Sequence, residues 1–302
     1  MTTSTGMAIA SIAALVAGLL LVRERFRTAS GAEKVLVLGP MLEANALAAF
    51  AAEHFLSARN LMGMVPKWLP GPLFWTYFFG AALLAAAVSF LAWRWVRWSG
   101  LLLALFFLII VVTLDLPNVL SGLHDRFFWI LTVRETCFAS GAMVLAGSVW
   151  PRGWARTALV RVGRGIVACV MVFYAVEHFL HPFNVPGVPL EKMTPAWVPA
   201  PAVLAYLVGI GLLLGGIGLF IRPAVRLAAA GAGAVLVLLT AFFYVPIFIM
   251  EMHSALALEG MNYVGDTLLF AATVLLAGLG AEGAAVAEPA GEVRAEPPAA
   301  LA

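Results

Sequence analysis

The sequence predicts an all-α, polytopic membrane protein with about nine transmembrane helices. Of its 302 residues, 63% are hydrophobic and 11% are charged, whereas soluble domains are roughly half apolar and a quarter charged. Apolar runs close to the ~20 residues that a helix needs to cross a bilayer recur along the whole chain. These runs lack the strict alternation of polar and apolar residues that marks β-barrel strands, so we expect helices throughout.

The apolar runs follow one another in a regular order from the N-terminus. The first is the shortest, and its leader has no Lys or Arg that would mark a signal peptide, so we expect a retained helix. The last is followed by a segment rich in Ala, Pro and Glu, which has too little hydrophobic surface to fold. The predicted spans are 7–22, 35–56, 73–93, 99–117, 128–149, 158–180, 201–221, 227–249 and 263–281.

The distribution of Lys and Arg predicts the orientation of the chain, because short cytoplasmic loops are enriched in these residues. Thirteen of the eighteen belong to one side of the predicted spans, four belong to the other side, and Arg134 lies within a span. This asymmetry predicts an N-terminus outside and a C-terminus in the cytoplasm. The four basic residues on the predicted outer side are Arg59, Lys67, Arg126 and Lys192.

The chain contains an internal repeat. The letters EHFL at 53–56 recur at 177–180, which is a shift of 124 residues. After an insertion of five residues the shift becomes 129, and the pattern P-x-W-x-P at 66–70 then recurs at 195–199. Further equivalent pairs in the same order are Tyr77 and Tyr206, Gly80 and Gly209, Pro117 and Pro246, His124 and His253, and, after two more residues of slip, Glu135 and Asp266.

The repeat predicts the organisation of the chain. We expect a lead helix with a basic loop at 1–30, a first four-helix unit at 31–150, a second at 151–281 and a disordered cytoplasmic tail at 282–302. Each unit has an even number of spans, so both insert with the same orientation. The repeat is therefore parallel and differs from the inverted repeats of many transporters.

Ionisable residues within the predicted spans are the main functional candidates, since they are costly in a bilayer unless they are paired or face a wet cavity. If the helices of each unit bundle together, the outer end of each unit gathers a glutamate, two histidines and a second carboxylate. The candidates for a catalytic or proton-exchange role are Glu53, His54, Glu177, His178, His124 and His253.

A second set of residues is predicted to bind a ligand or to form ion pairs. Arg134 is the cation of the first unit and is placed to neutralise Asp115 or Glu53, whereas its counterpart in the second unit is Gly265. The tryptophans of the P-x-W-x-P patterns are expected to hold the outer loops at the membrane surface. The set consists of Glu135, Asp266, Arg134, Asp115, Trp68 and Trp197.

The sequence does not favour a metal or haem site. His178 and His181 stand three residues apart on a helix, and with His253 they form a weak candidate for a mononuclear metal site. The position of His181 is occupied by Ser57 in the first unit, and the chain has no C-x-x-C-H motif for covalent haem. The cofactor is therefore left open, with a quinone as one hypothesis.

The order of HFL, then mVPxWLPxP, then a tyrosine, a glycine and a late proline resembles the DoxX-like membrane proteins, which also include DoxD and MauE relatives. The resemblance covers 33–149 and, less closely, 157–281. It implies a bacterial-type inner-membrane protein linked to redox or sulfur metabolism, with some relatives acting as quinone-coupled subunits of oxidoreductases. The duplicated unit and the extra first span depart from the single-unit pattern.

Three functions are compatible with the sequence. The first is a redox-linked subunit that handles a quinone or another lipid-soluble ligand near the outer face, beside a redox partner subunit, with histidines and glutamates exchanging protons. The second is a transporter for a small solute, and the third is a noncatalytic assembly or scaffold protein. Nucleic-acid binding is excluded, because the arginines are dispersed and form no continuous basic groove.

Overall fold

A computed structural model describes residues 2–188 and 190–279 and confirms the predicted fold class. Within these residues, nine helices are long and apolar enough to cross a membrane, and the protein is accordingly a multi-pass membrane protein in contact with lipid. The tail predicted at 282–302 lies outside the described residues. The spans, numbered in chain order, are Thr3–Thr28, Glu33–Leu56, Pro72–Ala92, Val96–Ser121, Arg126–Ser148, Trp154–Leu180, Pro201–Phe220, Arg222–Glu251 and Ala257–Leu279.

Several spans extend beyond the predicted apolar runs, because a helix continues into polar residues once its apolar part is formed. The first span reaches from Thr3 to Thr28, starting at the N-cap Thr2, whose side chain accepts a hydrogen bond from the Thr5 amide. The third and seventh spans begin at Pro72 and Pro201, a residue type whose missing N–H costs nothing in the first turn.

The fourth and eighth spans each contain a short π-helical segment at the same place in the repeat. The segments are Val111–Asp115 and Thr240–Tyr244, and each ends just before a proline-containing turn. Pro117 and Pro246 cannot donate a backbone hydrogen bond, and their rings displace the preceding turn, which explains the widened helix. The last residues of the two segments, Asp115 and Tyr244, face the region described below as the candidate site.

Spans two to nine form a closed ring in which each span packs against the next one in the chain and the ninth packs against the second. The fifth and ninth spans also contact each other across the middle of this ring, while the first span packs outside on the second. The contacts of spans two to five recur in spans six to nine. This recurrence of contacts is what a two-fold repeat produces. The boundaries of the two units remain a prediction.

The centre of the ring is closely packed in the predicted inner half of the membrane. The fifth and ninth spans approach each other at Gly141, where a Cβ atom would lie 2.7 Å from Thr273 Cγ2 and 3.0 Å from Thr273 Cβ. Around this glycine, the fifth span is buried from Cys137 to Ser148 except at Met143. Small residues at such crossings let helix backbones approach in the absence of water. The packing leaves no room between the two spans at this level.

Candidate functional site

The charged residues at the middle of the ring form one ion cluster that joins the fifth and ninth spans. Arg134 donates a hydrogen bond of 2.7 Å from Nη1 to Asp266 Oδ2 and one of 3.0 Å from Nη2 to Glu135 Oε1. The hydrogen-bond partners of Arg134 are thus not the expected Asp115 or Glu53, although Asp115 lies close enough to interact with it electrostatically. Asp266 comes within reach because the ninth span, 132 residues further along the chain, is the neighbour of the fifth.

A single arginine serves both halves of the chain because its repeat counterpart has no room for a side chain. A Cβ atom at Gly265 would lie 2.8 Å from Phe50 Cζ. The counterpart of Phe50 is Tyr174, which is buried near Arg134 and donates a hydrogen bond of 2.8 Å to the Ile130 carbonyl. The Phe50 ring thus fills the space beside Gly265 that a side chain equivalent to Arg134 would need.

The glutamates of the two EHFL stretches are paired across the halves of the chain. Asn262 Nδ2 donates a hydrogen bond of 3.1 Å to Glu53 Oε1, and Arg126 Nε donates one of 2.5 Å to Glu177 Oε2. The second span borders the ninth and the sixth borders the fifth, so each glutamate has a hydrogen-bond partner in the other half of the chain. The four-residue cluster expected at the outer end of each unit stays a prediction.

The five histidines divide into two anchored rings and three at the predicted outer surface. His124 and His253 are exposed, and His181 Nε2 lies 3.8 Å from Glu177 Oε2. Among the described residues, no three His, Cys, Asp or Glu side chains are arranged to hold a metal ion. The weak candidate set His178, His181 and His253 is therefore not assembled. Trp68 and Trp197 are both exposed in the connections predicted to lie outside, as membrane-surface residues are.

His54 and His178 are bound to the backbone in the same way but differ at the second ring nitrogen. Nδ1 lies 2.8 Å from the Phe50 carbonyl in His54 and 2.5 Å from the Tyr174 carbonyl in His178. A carbonyl only accepts, so Nδ1 is the donor in both rings and Nε2 of the neutral ring is an acceptor. His178 Nε2 accepts a hydrogen bond of 2.8 Å from the Gly187 amide. His54 Nε2 has no partner among the described residues.

The partner of His178 belongs to a connection that folds back into the bundle, and we name residues 183–188 and 190–194 the hairpin plug. Two backbone hydrogen bonds of 2.8 Å close the hairpin, from Val185 N–H to Lys192 O and from Thr194 N–H to Phe183 O. Its tip is buried and also accepts a hydrogen bond at Pro186 O from the Tyr244 hydroxyl. The only sequence signal for this element was the five-residue insertion in the second half of the chain.

The hairpin plug carries a partly buried acid, Glu191, next to its buried tip and outside the spans. Burial raises the pKa of Glu191 above the usual value for a glutamate, and Arg134 and Lys192 act in the opposite direction. Glu191 therefore takes up a proton at a higher pH than an exposed glutamate does. The adjacent Lys192 forms an ion pair with Glu259, which ties the plug to the start of the ninth span.

Replacing His178 with alanine is expected to loosen the hairpin plug. The change removes the acceptor of the buried Gly187 amide, and one hydrogen bond contributes about 1 kcal/mol, or roughly a factor of five to ten. Hydrogen–deuterium exchange at Gly187 should therefore become about five to ten times faster. The exposed His253 replaced with alanine is the matched control and should leave this exchange unchanged. An unaltered Gly187 exchange rate in the His178 variant contradicts the assigned anchor.

Two polar atoms beside the ion cluster are buried and have no hydrogen-bond partner in the described structure. They are Arg134 Nε and Asp115 Oδ2. Asp115 also lies close enough to Arg134 and Glu135 to interact with both electrostatically. A buried donor or acceptor without a partner costs about 1–3 kcal/mol, so such atoms indicate that a bound group supplies the missing hydrogen bond. Glu43 is buried nearer the middle of the second span, and both its carboxyl oxygens are also unpartnered.

Comparison with known families gives one match, which covers part of the first half of the chain. A family model described as a domain of unknown function, DUF8561, matches residues 43–121. These residues include the EHFL stretch at 53–56, the third span and Asp115. Comparison with curated proteins and with solved structures gives no match for this chain.

Proposed function

We propose that the protein is a redox-linked membrane subunit that binds a quinone or a similar lipid-soluble ligand beside Arg134, near the outer face of a bacterial-type inner membrane. The observation that supports the proposal is the pair of unpartnered buried atoms, Arg134 Nε and Asp115 Oδ2. One is a cationic donor and the other a carboxylate acceptor, and both adjoin a carboxylate-rich cluster. Buried polar groups of this kind are found where a ligand completes the hydrogen bonding.

The residues present fit the chemistry of a quinone. Its carbonyl oxygens accept hydrogen bonds, and the free Nε of Arg134 is a buried donor for one of them. Asp115 and Glu135 lie beside that donor and are the groups placed to take up or release protons. A bound quinone supplies two-electron, two-proton redox chemistry, with a partner subunit as the source or acceptor of the electrons.

The sequence resemblance supports the same class of function. The motifs that resemble DoxX-like proteins, HFL and mVPxWLPxP, lie in the first half of the chain, which also contains Asp115 and Arg134. The bias of Lys and Arg toward one side supports an N-terminus outside and a C-terminus in the cytoplasm. In that orientation, the ion cluster lies in the outer half of the bilayer, where a lipid-soluble ligand reaches it from the membrane.

A scaffold function is the second candidate, and the hydrogen bonds of Glu53 and Glu177 favour it. Both acids bind a partner from the other half of the chain, Asn262 and Arg126, as acids that only hold helices together do. A solute pathway along the centre of the ring has less support, since Gly141 packs directly on Thr273 between the fifth and ninth spans. The unpartnered atoms Arg134 Nε and Asp115 Oδ2 favour the quinone proposal over both alternatives.

Replacing Arg134 with lysine is expected to weaken quinone binding at least tenfold. Lysine keeps a positive charge beside Asp266 and Glu135 but lacks the Nε donor, and a hydrogen bond from a charged group contributes about 1.5–3 kcal/mol. The measurement is the saturable binding of a short-tailed benzoquinone to the protein in lipid nanodiscs, after a thermal unfolding check on each sample. Solvent extraction of the purified protein tests in parallel for a quinone that co-purifies.

The matched control is Arg126→Lys, which changes a second paired arginine at the same end of the spans. We expect its quinone affinity to stay within threefold of the unmodified protein. Absence of saturable binding to the unmodified protein would favour the scaffold function. Binding that Arg134→Lys leaves unchanged would place the ligand elsewhere and refute the proposed site.

A further inference from the structure

We infer that the first half of the chain contains an open polar chamber in the place that the hairpin plug fills in the second half. We further infer that the chamber binds a dihydroxy ligand through two acceptors, His54 Nε2 and Asp115. The ligand part of this inference rests on the proposed function and narrows it to the reduced, quinol form. The chamber itself follows from a comparison of equivalent positions in the two halves.

Equivalent residues of the fourth and eighth spans differ in burial. Leu239, Phe243 and Tyr244 in the eighth span are buried. Their equivalents in the fourth span, at a shift of 129, are all partly exposed: Ile110, Leu114 and Asp115. The helices themselves have the same shape, including the π-helical segment, so the difference lies in what covers them.

The same difference recurs on the other walls. Thr267 in the ninth span is fully buried, whereas its equivalent Thr136 in the fifth span is partly exposed. His178 is likewise fully buried, and its equivalent His54 is not. Residues on three different spans of the first half are thus more exposed than their equivalents in the second half. A shared space is the simplest cause.

The hairpin plug is the cover that the first half lacks. A Cβ atom at Gly187, in the tip of the plug, would lie 3.0 Å from Leu239 Cδ2 and 3.6 Å from Thr267 Cγ2 and Tyr244 Cε2. The plug therefore touches the residues that are buried only in the second half. The connection after the second span is shorter by five residues, and none of its residues from 59 to 71 is buried.

The plug indicates which groups a ligand must offer. It presents a donor, the Gly187 amide, to His178 Nε2, and an acceptor, the Pro186 carbonyl, to the Tyr244 hydroxyl. In the first half His54 keeps the same acceptor at Nε2, because its Nδ1 is bound to a carbonyl in the same way. The equivalent of Tyr244 is Asp115, and an ionised carboxylate only accepts hydrogen bonds.

A group that occupies the chamber must therefore offer two donors where the plug offers one donor and one acceptor. A ring compound with two hydroxyl groups meets this requirement. Within a quinone–quinol pair, only the quinol has hydroxyl donors, so the chamber should select the reduced form. Arg134 lies close enough to Asp115 to interact with that carboxylate electrostatically.

The chamber is tested first by cysteine labelling, which needs no ligand. Thr136→Cys and Thr267→Cys are near-isosteric changes at equivalent positions, made after Cys137 and Cys169 are replaced with alanine. A small water-soluble methanethiosulfonate reagent should label the cysteine at 136 at least tenfold faster than the one at 267. Equal labelling rates, or faster labelling at 267, would overturn the open chamber.

The ligand class is tested with a short-tailed benzoquinol, its dimethyl ether and the matching quinone, under reducing or oxidising conditions as each requires. We expect the quinol to bind at least tenfold more tightly than the ether, and to protect the cysteine at 136 from labelling. His54→Leu and Asp115→Leu should each abolish this preference while changing the affinity for the ether less than threefold. His253→Leu, at an exposed histidine, should preserve it.

The outcomes separate the two proposals. Equal affinity for the quinol, the ether and the quinone would refute recognition by two acceptors and leave the proposed quinone binding intact. No binding of any of the three would refute both. A preference for the quinol that survives His54→Leu and Asp115→Leu would place recognition outside the chamber and overturn the inference.

Discussion

Replacing Arg134 with methionine is expected to destabilise the protein by about 3–5 kcal/mol, enough to remove most of the folded material from purified samples. The change leaves Asp266 and Glu135 buried in the membrane interior without their cation. Breaking a buried ion pair on one side costs far more than the intact pair contributes, because the remaining charge has lost its compensation. The measurement is the yield of monodisperse protein after detergent extraction, together with its thermal unfolding midpoint.

The triple variant Arg134→Met, Glu135→Leu and Asp266→Leu is the control for this prediction. It removes the whole ion cluster, and an apolar replacement of similar size is often neutral. We therefore expect the triple variant to recover most of the stability lost in the single variant. A single variant as stable as the unmodified protein would show that the cluster does not hold the fifth and ninth spans together.

Replacing Gly141 with leucine is expected to separate the two central spans and to reduce the folded yield severely. Even the first added carbon would lie 2.7 Å from Thr273 Cγ2, inside a region where the surrounding side chains have no space to move. Overpacking in a filled core costs about 1–3 kcal/mol or more when the backbone has to shift. Thermal unfolding and size-exclusion profiles of the purified protein check this prediction.

The chain provides a matched glycine for comparison. Gly231 in the eighth span is exposed, and a Cβ atom there would meet no other atom within 4 Å. Gly231→Leu should therefore leave both the yield and the unfolding midpoint close to those of the unmodified protein. If the two leucine variants behave alike, the close approach of the fifth and ninth spans at Gly141 is not what limits stability.

The fold follows from the sequence to a large extent because each span is defined locally. An apolar run of sufficient length forms a helix wherever it enters the bilayer, since the backbone must satisfy its own hydrogen bonds there. The repeated residues also identified positions that behave alike in space. Phe55 stacks on Tyr77, and the equivalent Phe179 lies against Tyr206 in a similar arrangement.

The partners of the charged residues could not be predicted, because they depend on which spans are neighbours. Short connections favoured a separate bundle in each half, and that picture paired Arg134 with acids of its own half. In the structure the ninth span lies beside both the second and the fifth. Asp266 and Asn262 are therefore the partners of residues far away in the chain.

The hairpin plug could not be predicted from the sequence either. Its letters, NVPGVPLEKMT, read as a loop rich in proline and glycine, and no periodicity indicates that its tip is buried. The position of Gly187 against His178 depends on the backbone at that glycine, whose φ of 102° is open to few other residues. A five-residue difference between the two halves is the visible sign of an element that the first half lacks.

The place of the ninth span in the ring has a consequence for biosynthesis. Arg134 and Glu53 enter the bilayer well before their partners Asp266 and Asn262 have been synthesised, and the ninth span supplies both. The nascent protein must therefore hold these polar groups in a half-assembled state until the ninth span has been synthesised. Insertion of the ninth span is then the event that holds the earlier spans together, so truncation before it should leave a chain that cells degrade.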